Sequence, residues 1–219
     1  MITLEEVNKL VQKCLNERRI FHSEADFQHS LAWKIHEEFG KKFEIRLEFV
    51  IESKHIDLVL IDSSKNKIGI ELKYKTKEIS EEIDGEQYSL KPHGAQDCGR
   101  YDVIKDIERL EELIRADKIK LGFVIFLTND MSYLNKCKGN ACNFSLEEGR
   151  VITGELNWGG NTGPGTMKDR EKTLKLNGDY KINWINGSNI SEKTIFKYFI
   201  LEVYNQDLNK RKNVEEEIV

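Results

Sequence analysis

Three stretches of the chain repeat their apolar residues at the spacing of an α-helix. The first begins with a capping-box pattern at Thr3 and predicts a helix near residues 4–18. The second starts at Ser23 and stops at Gly40, a residue type that commonly ends helices. The third covers about 95–116. The chain is therefore predicted to contain three helices.

Four shorter stretches have the apolar pattern of β-strands. Residues 43–52 alternate between apolar and polar side chains, which predicts a strand with one face in water. The apolar runs 56–61 and 68–74 flank a turn-forming segment and predict an antiparallel hairpin. Residues 120–127 predict a buried strand, whereas the polar residues 76–93 are predicted to form a loop. The order after the first helix is helix, three strands, helix, strand.

The last ninety residues carry a weaker pattern. The glycine-dense segment 159–165 has no strand leading into it and no helix start after it, so it is predicted to be a loop and not a phosphate cradle. Residues 173–184 and 194–204 are predicted strands. The charge run 209–219 is predicted to be a frayed tail.

Composition narrows the class of protein. The net charge is 34 − 38 = −4, so any nucleic-acid partner would need a local basic patch. The longest apolar run, 121–127, is too short to cross a bilayer, and the first residues do not resemble a signal peptide. We therefore expect a cytoplasmic protein without a membrane partner. Four cysteines do not make a disulfide framework, and reduced thiols are favoured over a structural zinc.

The chemically informative residues lie on the predicted hairpin. In its second strand Glu71 and Lys73 point to one face, about 6.6 Å apart along the strand. If the turn pairs residues whose numbers sum to about 129, Asp57 falls beside Leu72, between the other two. Two carboxylates and one ammonium then converge in apolar surroundings.

Two interpretations of this cluster remain open. Asp57, Glu71 and Lys73 could form a cross-strand salt bridge on a solvated sheet face. Alternatively, because buried charges are costly unless they pair or bind a metal, the two carboxylates and the Leu72 carbonyl could ligate a divalent cation. Lys73 would then position or deprotonate a metal-bound water.

The spacing and its context resemble the PD-(D/E)xK superfamily, the restriction-endonuclease-like nucleases. Glu71 follows Asp57 by fourteen positions and is itself followed by Lys73, within the order helix, three strands, helix, strand. The resemblance covers roughly residues 21–128. Ile56 stands where the motif has proline, a position that varies widely in the superfamily.

The resemblance implies an α/β fold with a mixed sheet flanked by helices. We expect a single domain over 1–219, with a restriction-endonuclease-like core at about 20–130. A β-rich C-terminal extension at about 131–208 and the charged tail 209–219 would follow.

The resemblance also implies Mg²⁺-dependent hydrolysis of phosphodiester bonds, with Mn²⁺ as a substitute, by an endonuclease acting on DNA. Asp57, Glu71 and the Leu72 carbonyl would hold the metal, and Lys73 would orient the attacking water. Glu24 would add a further carboxylate from the preceding helix. The alternative for Glu24 is the ordinary preference of acidic residues for a helix N-terminus.

Substrate binding is assigned to three residues. Gln96 matches a glutamine that many members place at the start of the next helix, and Arg100 shares its face and could help hold a phosphate. Lys75 would contribute to a local basic set. Ordinary helix-start polarity and scattered surface lysines are the alternatives. A homodimer is compatible with cutting two strands. The rival functions are a recognition module without cleavage and a structural α/β domain with a fortuitous charge cluster.

Overall fold

A computed structural model describes residues 1–192 and 194–205, and it has an α/β fold. One mixed sheet of six strands carries helices on both faces, as expected, and two separate hairpins pack beside it. No helix within the described ranges is both long and apolar enough to span a membrane. The helices are α1 (Leu4–Glu17), α2 (Glu24–Phe39), α3 (Gln96–Arg115) and α4 (Pro164–Met167). The strands are β1 (Phe43–Ile51), β2 (Lys54–Asp62), β3 (Lys67–Lys75), β4 (Ile79–Ile83), β5 (Glu86–Leu90), β6 (Leu121–Thr128), β7 (Val151–Leu156), β8 (Leu174–Lys181), β9 (Ile185–Ser191) and β10 (Thr194–Val203).

The three predicted helices are confirmed with their ends. Thr3 caps α1 in a capping box, and its side chain accepts a hydrogen bond from the Glu6 N–H. Ser23 caps α2 through the Asp26 N–H, and Gly40 ends that helix with a φ of 53°, a conformation that glycine adopts at little cost.

The sheet order is β1-β2-β3-β6-β10-β9. β1, β2 and β3 are successive antiparallel neighbours. β3 and β6 are parallel, and α3 belongs to the crossover between them. β10 is antiparallel to β6, and β9 forms the outer edge on that side. The centre of the sheet is therefore the parallel pair β3 and β6.

The core has two halves, one on each face of the sheet. α1, α2 and the β4–β5 hairpin cover one face, where Phe27 and Tyr74 are buried. α3 and the β7–β8 hairpin cover the other face, where Ile107 and Phe126 are buried. β6 is buried along its whole length because it is covered on both faces.

The predicted loop at 76–93 is wrong, because it contains the β4–β5 hairpin. The sequence signal was weak, since the hairpin is mostly polar and buries few side chains. Its apolar residues pack against the first half of the core, and this tertiary contact favours the strand conformation. These residues are Ile79, Ile83, Tyr88 and Leu90.

The region after 131 is rich in β-strands, but it is not simply an extension. The predicted strand at 194–204 is β10, and it pairs with β6 in the central sheet. The predicted strand at 173–184 stops earlier as β8, pairs with β7, and is followed by the unpredicted β9. The predicted loop at 159–165 is irregular up to the short helix α4, and the predicted tail at 209–219 lies outside the described residues.

Glu111 of α3 joins the C-terminal region to this frame. Its carboxylate is buried and accepts hydrogen bonds from the backbone N–H groups of Asn177 and Gly178 at 2.8–3.0 Å. The Tyr180 hydroxyl donates to it at 2.7 Å. A buried carboxylate with this many donors is well satisfied, so it holds β8 against α3.

Candidate metal centre

The candidate centre lies where β2 and β3 separate. The two strands pair from Ile61 opposite Lys67 to Leu58 opposite Ile70, and no pair is formed beyond that point. The residue numbers of each pair sum to 128 and not to the predicted 129. The predicted register is wrong by one residue because the turn closes differently: the Lys65 N–H donates to the Asp62 carbonyl, and Lys65 has a φ of 64°.

Two of the predicted carboxylates bind the backbone of β3 beyond the last β2 pair. Asp57 Oδ2 accepts a hydrogen bond from the Leu72 N–H at 2.6 Å. Glu24 Oε2, from the first turn of α2, accepts one from the Tyr74 N–H at 2.7 Å. Both carboxylates therefore replace ladder partners that β2 no longer supplies.

Glu71 is the most deeply buried charge of the centre. It is 0% exposed, and neither carboxylate oxygen receives a hydrogen bond from any described residue. Arg109 of α3 lies closest, with Nε 2.9 Å from Glu71 Oε1 but without hydrogen-bond geometry. Such a carboxylate is strongly destabilised unless a cation provides what hydrogen bonds do not.

Lys73 points toward α3. Its Nζ lies 2.6 Å from Asp106 Oδ2 and donates a hydrogen bond to the Leu72 carbonyl at 3.1 Å. Asp106 is itself buried and also contacts the Arg109 guanidinium. The predicted lysine is therefore held in place by a second carboxylate that the motif does not contain.

The pKa values respond to burial and to the crowding of charges. Burial is the largest of the effects on the pKa values of Glu24, Asp57 and Glu71, and it raises them above those of ordinary carboxylates. The Asp106 carboxylate raises the pKa of Glu71 further. Burial would lower the pKa of Lys73, but the Asp106 and Asp57 carboxylates outweigh it and the pKa is raised. Lys73 is therefore an ammonium ion at neutral pH and can position a water but not deprotonate it.

The centre has negative charge and oxygen donors, which are the features that hard divalent cations prefer. The centre contains four carboxylates and two cations, Lys73 and Arg109, so its formal charge is −4 + 2 = −2. The carboxylates are those of Glu24, Asp57, Glu71 and Asp106. Within the described ranges, no three side chains of His, Cys, Asp or Glu are close enough together to hold a metal. A cation here would take the carboxylates of Asp57 and Glu71, the Leu72 carbonyl and water, all of which are oxygen ligands suited to Mg²⁺.

Two of the predicted substrate residues, Gln96 and Arg100, lie at an open cleft beside the first turn of α3. The Gln96 amide donates to Asp130 at 3.0 Å. Arg100 is mostly buried, donates to the Ser132 carbonyl at 2.6 Å and stacks its guanidinium on the Tyr133 ring. The cleft carries more positive than negative charge. Its lining residues are Lys77, Gln96, Asp97, Arg100, Asp130, Ser132, Asn135, Lys136, Cys137 and Lys138.

Lys75 lies at the end of β3, near the candidate centre. It is half-buried and close enough to Glu24 to lower the pKa of that carboxyl. The structure therefore gathers Asp57, Glu71, Lys73 and Glu24 around the separated strands, with Lys75 beside them. Gln96 and Arg100 are not in this group and lie toward the N-terminus of α3.

Three residues of the centre were not predicted from the sequence. Asp106 and Arg109 are polar positions within a helix whose apolar stripe was the only visible signal. Gln28, one turn after Glu24 on α2, donates to Glu48 Oε1 at 2.8 Å and also to the Asp57 carbonyl. No motif spacing marks these residues, because each reaches the centre through the packing of a helix on the sheet.

The chain matches no protein-family model, no curated protein and no solved structure.

Proposed function

We propose that the chain is a metal-dependent nuclease with a restriction-endonuclease-like core, which hydrolyses phosphodiester bonds of DNA as an endonuclease. The observation that carries the proposal is Glu71, a fully buried carboxylate without a hydrogen-bond donor, next to Asp57 and Lys73. A surface salt bridge would be solvated, so the burial disfavours that alternative. Mg²⁺ is the proposed cation and Mn²⁺ its substitute.

The roles of the residues follow from their positions. A bound divalent cation would supply Lewis-acid polarisation of a phosphoryl oxygen. Lys73, fixed by Asp106 and protonated, orients the attacking water and offsets negative charge as it develops on the phosphate. Asp57 and Glu71 would hold the cation, and Glu24 keeps the end of β3 in position through the Tyr74 N–H.

The cleft at α3 supports nucleic acid as the substrate class. Gln96 begins the helix and Asp106 lies ten residues later, which is about 15 Å along its axis. A nucleic-acid strand lying along α3 would pass from the basic cleft to the proposed metal centre. This local positive charge answers the objection that the whole chain is acidic.

The decisive test is a cleavage assay with Mg²⁺ and with Mn²⁺ on supercoiled plasmid, linear duplex, single-stranded DNA and RNA. We expect Lys73→Ala to abolish cleavage while divalent-metal binding is retained. Lys67→Ala, on the same strand but about 20 Å away, is the matched control and should cleave like the wild type. Cleavage that survives Lys73→Ala would rule out this centre.

A recognition module without cleavage is the second candidate. It is favoured by the absence of a third metal-binding side chain among the described residues, and by the backbone hydrogen bonds of Asp57 and Glu24. Folded protein that binds DNA but cleaves none of the four substrates would support it. Cleavage of the supercoiled plasmid before the other substrates would instead support an endonuclease.

The cleft gives a separate prediction about affinity. Lys136→Gln with Lys138→Gln should weaken DNA binding and reduce the salt dependence, since each lost phosphate contact lowers the slope of log K against log salt by about 0.9. Lys9→Gln with Lys13→Gln, on α1 behind the other face of the sheet, is the control with the same change in net charge. Filter binding at several salt concentrations measures both, and equal slopes for the two double variants would exclude the cleft as a binding surface.

A further inference from the structure

Arg109 is the cation that faces Glu71 in this structure. Its Nε lies 2.9 Å from Glu71 Oε1, and its Nη2 contacts Asp106 Oδ1. Asp106 reaches Lys73 through its other oxygen at 2.6 Å. Two carboxylates and two cations therefore alternate in a chain from β3 to α3, which we call the α3 charge chain: Glu71, Arg109, Asp106 and Lys73.

The contact between Arg109 and Glu71 is close but poorly formed. Neither Glu71 oxygen accepts a hydrogen bond from a described residue, and Arg109 Nε does not donate one. A guanidinium pairs strongly with a carboxylate only in an aligned, bidentate arrangement. The pair thus supplies charge compensation without the hydrogen bonds that would make Arg109 hard to displace.

Arg109 also has an alternative to its contact with Glu71. Its side chain is 25% exposed, whereas that of Glu71 is 1% exposed, so only the arginine reaches solvent. Asp106 lies one turn before it on α3 and already contacts the guanidinium. The arginine can therefore turn away from Glu71 and keep a carboxylate partner.

We propose that Arg109 competes with the divalent cation for Glu71, so that it acts as a built-in counter-ion that lowers the metal affinity of the centre. The inference rests on the proposed function, because it requires the centre to bind a metal. The physical reason is that two cations cannot both contact one small carboxylate without mutual repulsion. Metal binding must then displace Arg109, and the free energy of the Arg109–Glu71 contact is subtracted from the binding free energy.

The first test measures metal binding without any substrate. Free Mn²⁺ is titrated by electron paramagnetic resonance against the wild type, Arg109→Met and Arg109→Lys. We expect Arg109→Met to bind Mn²⁺ about tenfold more tightly or better, with Arg109→Lys between the two. Arg115→Met, an exposed arginine in the last turn of the same helix, removes the same charge and should leave the Kd nearly unchanged.

The second test shows whether the Arg109 contact exists without metal. In a chelating buffer, Arg109→Met should lower the Tm because Glu71 loses the cation that contacts it, and Mn²⁺ should restore more of the Tm than in the wild type. In a Glu71→Gln background the same substitution should have a smaller effect, which a double-mutant cycle measures. Circular dichroism confirms that each variant is folded.

The outcomes separate this inference from the proposed function. If the wild type binds Mn²⁺ and Arg109→Met binds it equally or more weakly, the competition is refuted while the metal centre stands. If neither protein binds Mn²⁺ although both are folded, the metal-dependent function fails and the inference fails with it. A lower Kd for Mn²⁺ in Arg109→Met but not in Arg115→Met establishes that Arg109 competes with the metal.

Discussion

Replacing Glu71 with glutamine should stabilise the protein while it removes a proposed metal ligand. The substitution keeps the shape of the side chain and removes one negative charge from a buried cluster whose formal charge is −2. Arg109 keeps Asp106 as its partner, so no unpaired cation is left behind. The variant therefore removes a cost of the folded state without creating a comparable one.

The magnitude follows from the burial of the carboxylate. A buried polar group without a hydrogen bond costs about 1–3 kcal/mol, and more if it is charged. The glutamine amide is also buried and retains part of this cost, so we expect a gain of about 2 kcal/mol. For a chain of this size, such a gain raises the Tm by about 4–8 °C.

The sign of the pH dependence provides an internal check. Burial, with the Asp106 carboxylate as the next cause, raises the pKa of Glu71 above its value in the unfolded chain. The folded protein therefore binds this proton more tightly, and stability is lost as the pH rises through the folded-state pKa. The advantage of Glu71→Gln should be largest above that pKa and disappear as the pH falls toward about 4.3, where even an unperturbed glutamate becomes protonated.

Thermal unfolding in a chelating buffer, repeated from acidic to neutral pH, measures this prediction. Glu81→Gln, on the exposed side of β4, removes the same charge and should shift the Tm little. Addition of Mn²⁺ should stabilise the wild type but not Glu71→Gln. An unchanged or lower Tm for Glu71→Gln at neutral pH would refute the account of an under-compensated buried charge.

Two further predictions concern the frame around the centre. Glu111→Ala should lower the free energy of unfolding in urea by about 3–5 kcal/mol, because it leaves buried donors such as the Tyr180 hydroxyl unpaired. The control is Glu112→Ala, at the half-buried neighbouring position, which should cost less than about 1 kcal/mol. Equal losses of stability in the two variants would contradict the role of Glu111. Gly99→Ala should destabilise by about 1–3 kcal/mol, because its Cβ would lie 2.4 Å from the buried Tyr133 hydroxyl. Tyr133→Phe should recover most of that loss, and a loss that persists in the double variant would assign the effect to something other than this clash.

The separation of β2 from β3 shows why the sequence located the chemistry but not its geometry. Alternation placed Glu71 and Lys73 on one face of a strand, and the structure retains that placement. The register of the hairpin was predicted one residue away from the observed one, because it depends on how the turn at Lys65 closes. The backbone hydrogen bonds of Asp57 and Glu24 depend on that separation and have no local signal.

The sequence by itself determined the three long helices, the strands β1, β2, β3, β6 and β10, and the set of Asp57, Glu71 and Lys73, since periodicity, caps and spacing are local properties of the chain. Only the tertiary structure decided that the mostly polar β4–β5 segment forms a hairpin and that β9 joins the sheet, because burial against distant residues supplies the free energy. It also decided that Asp106 and Arg109 belong to the centre. Two positions on a helix reach a strand more than thirty residues earlier only when α3 packs across the sheet.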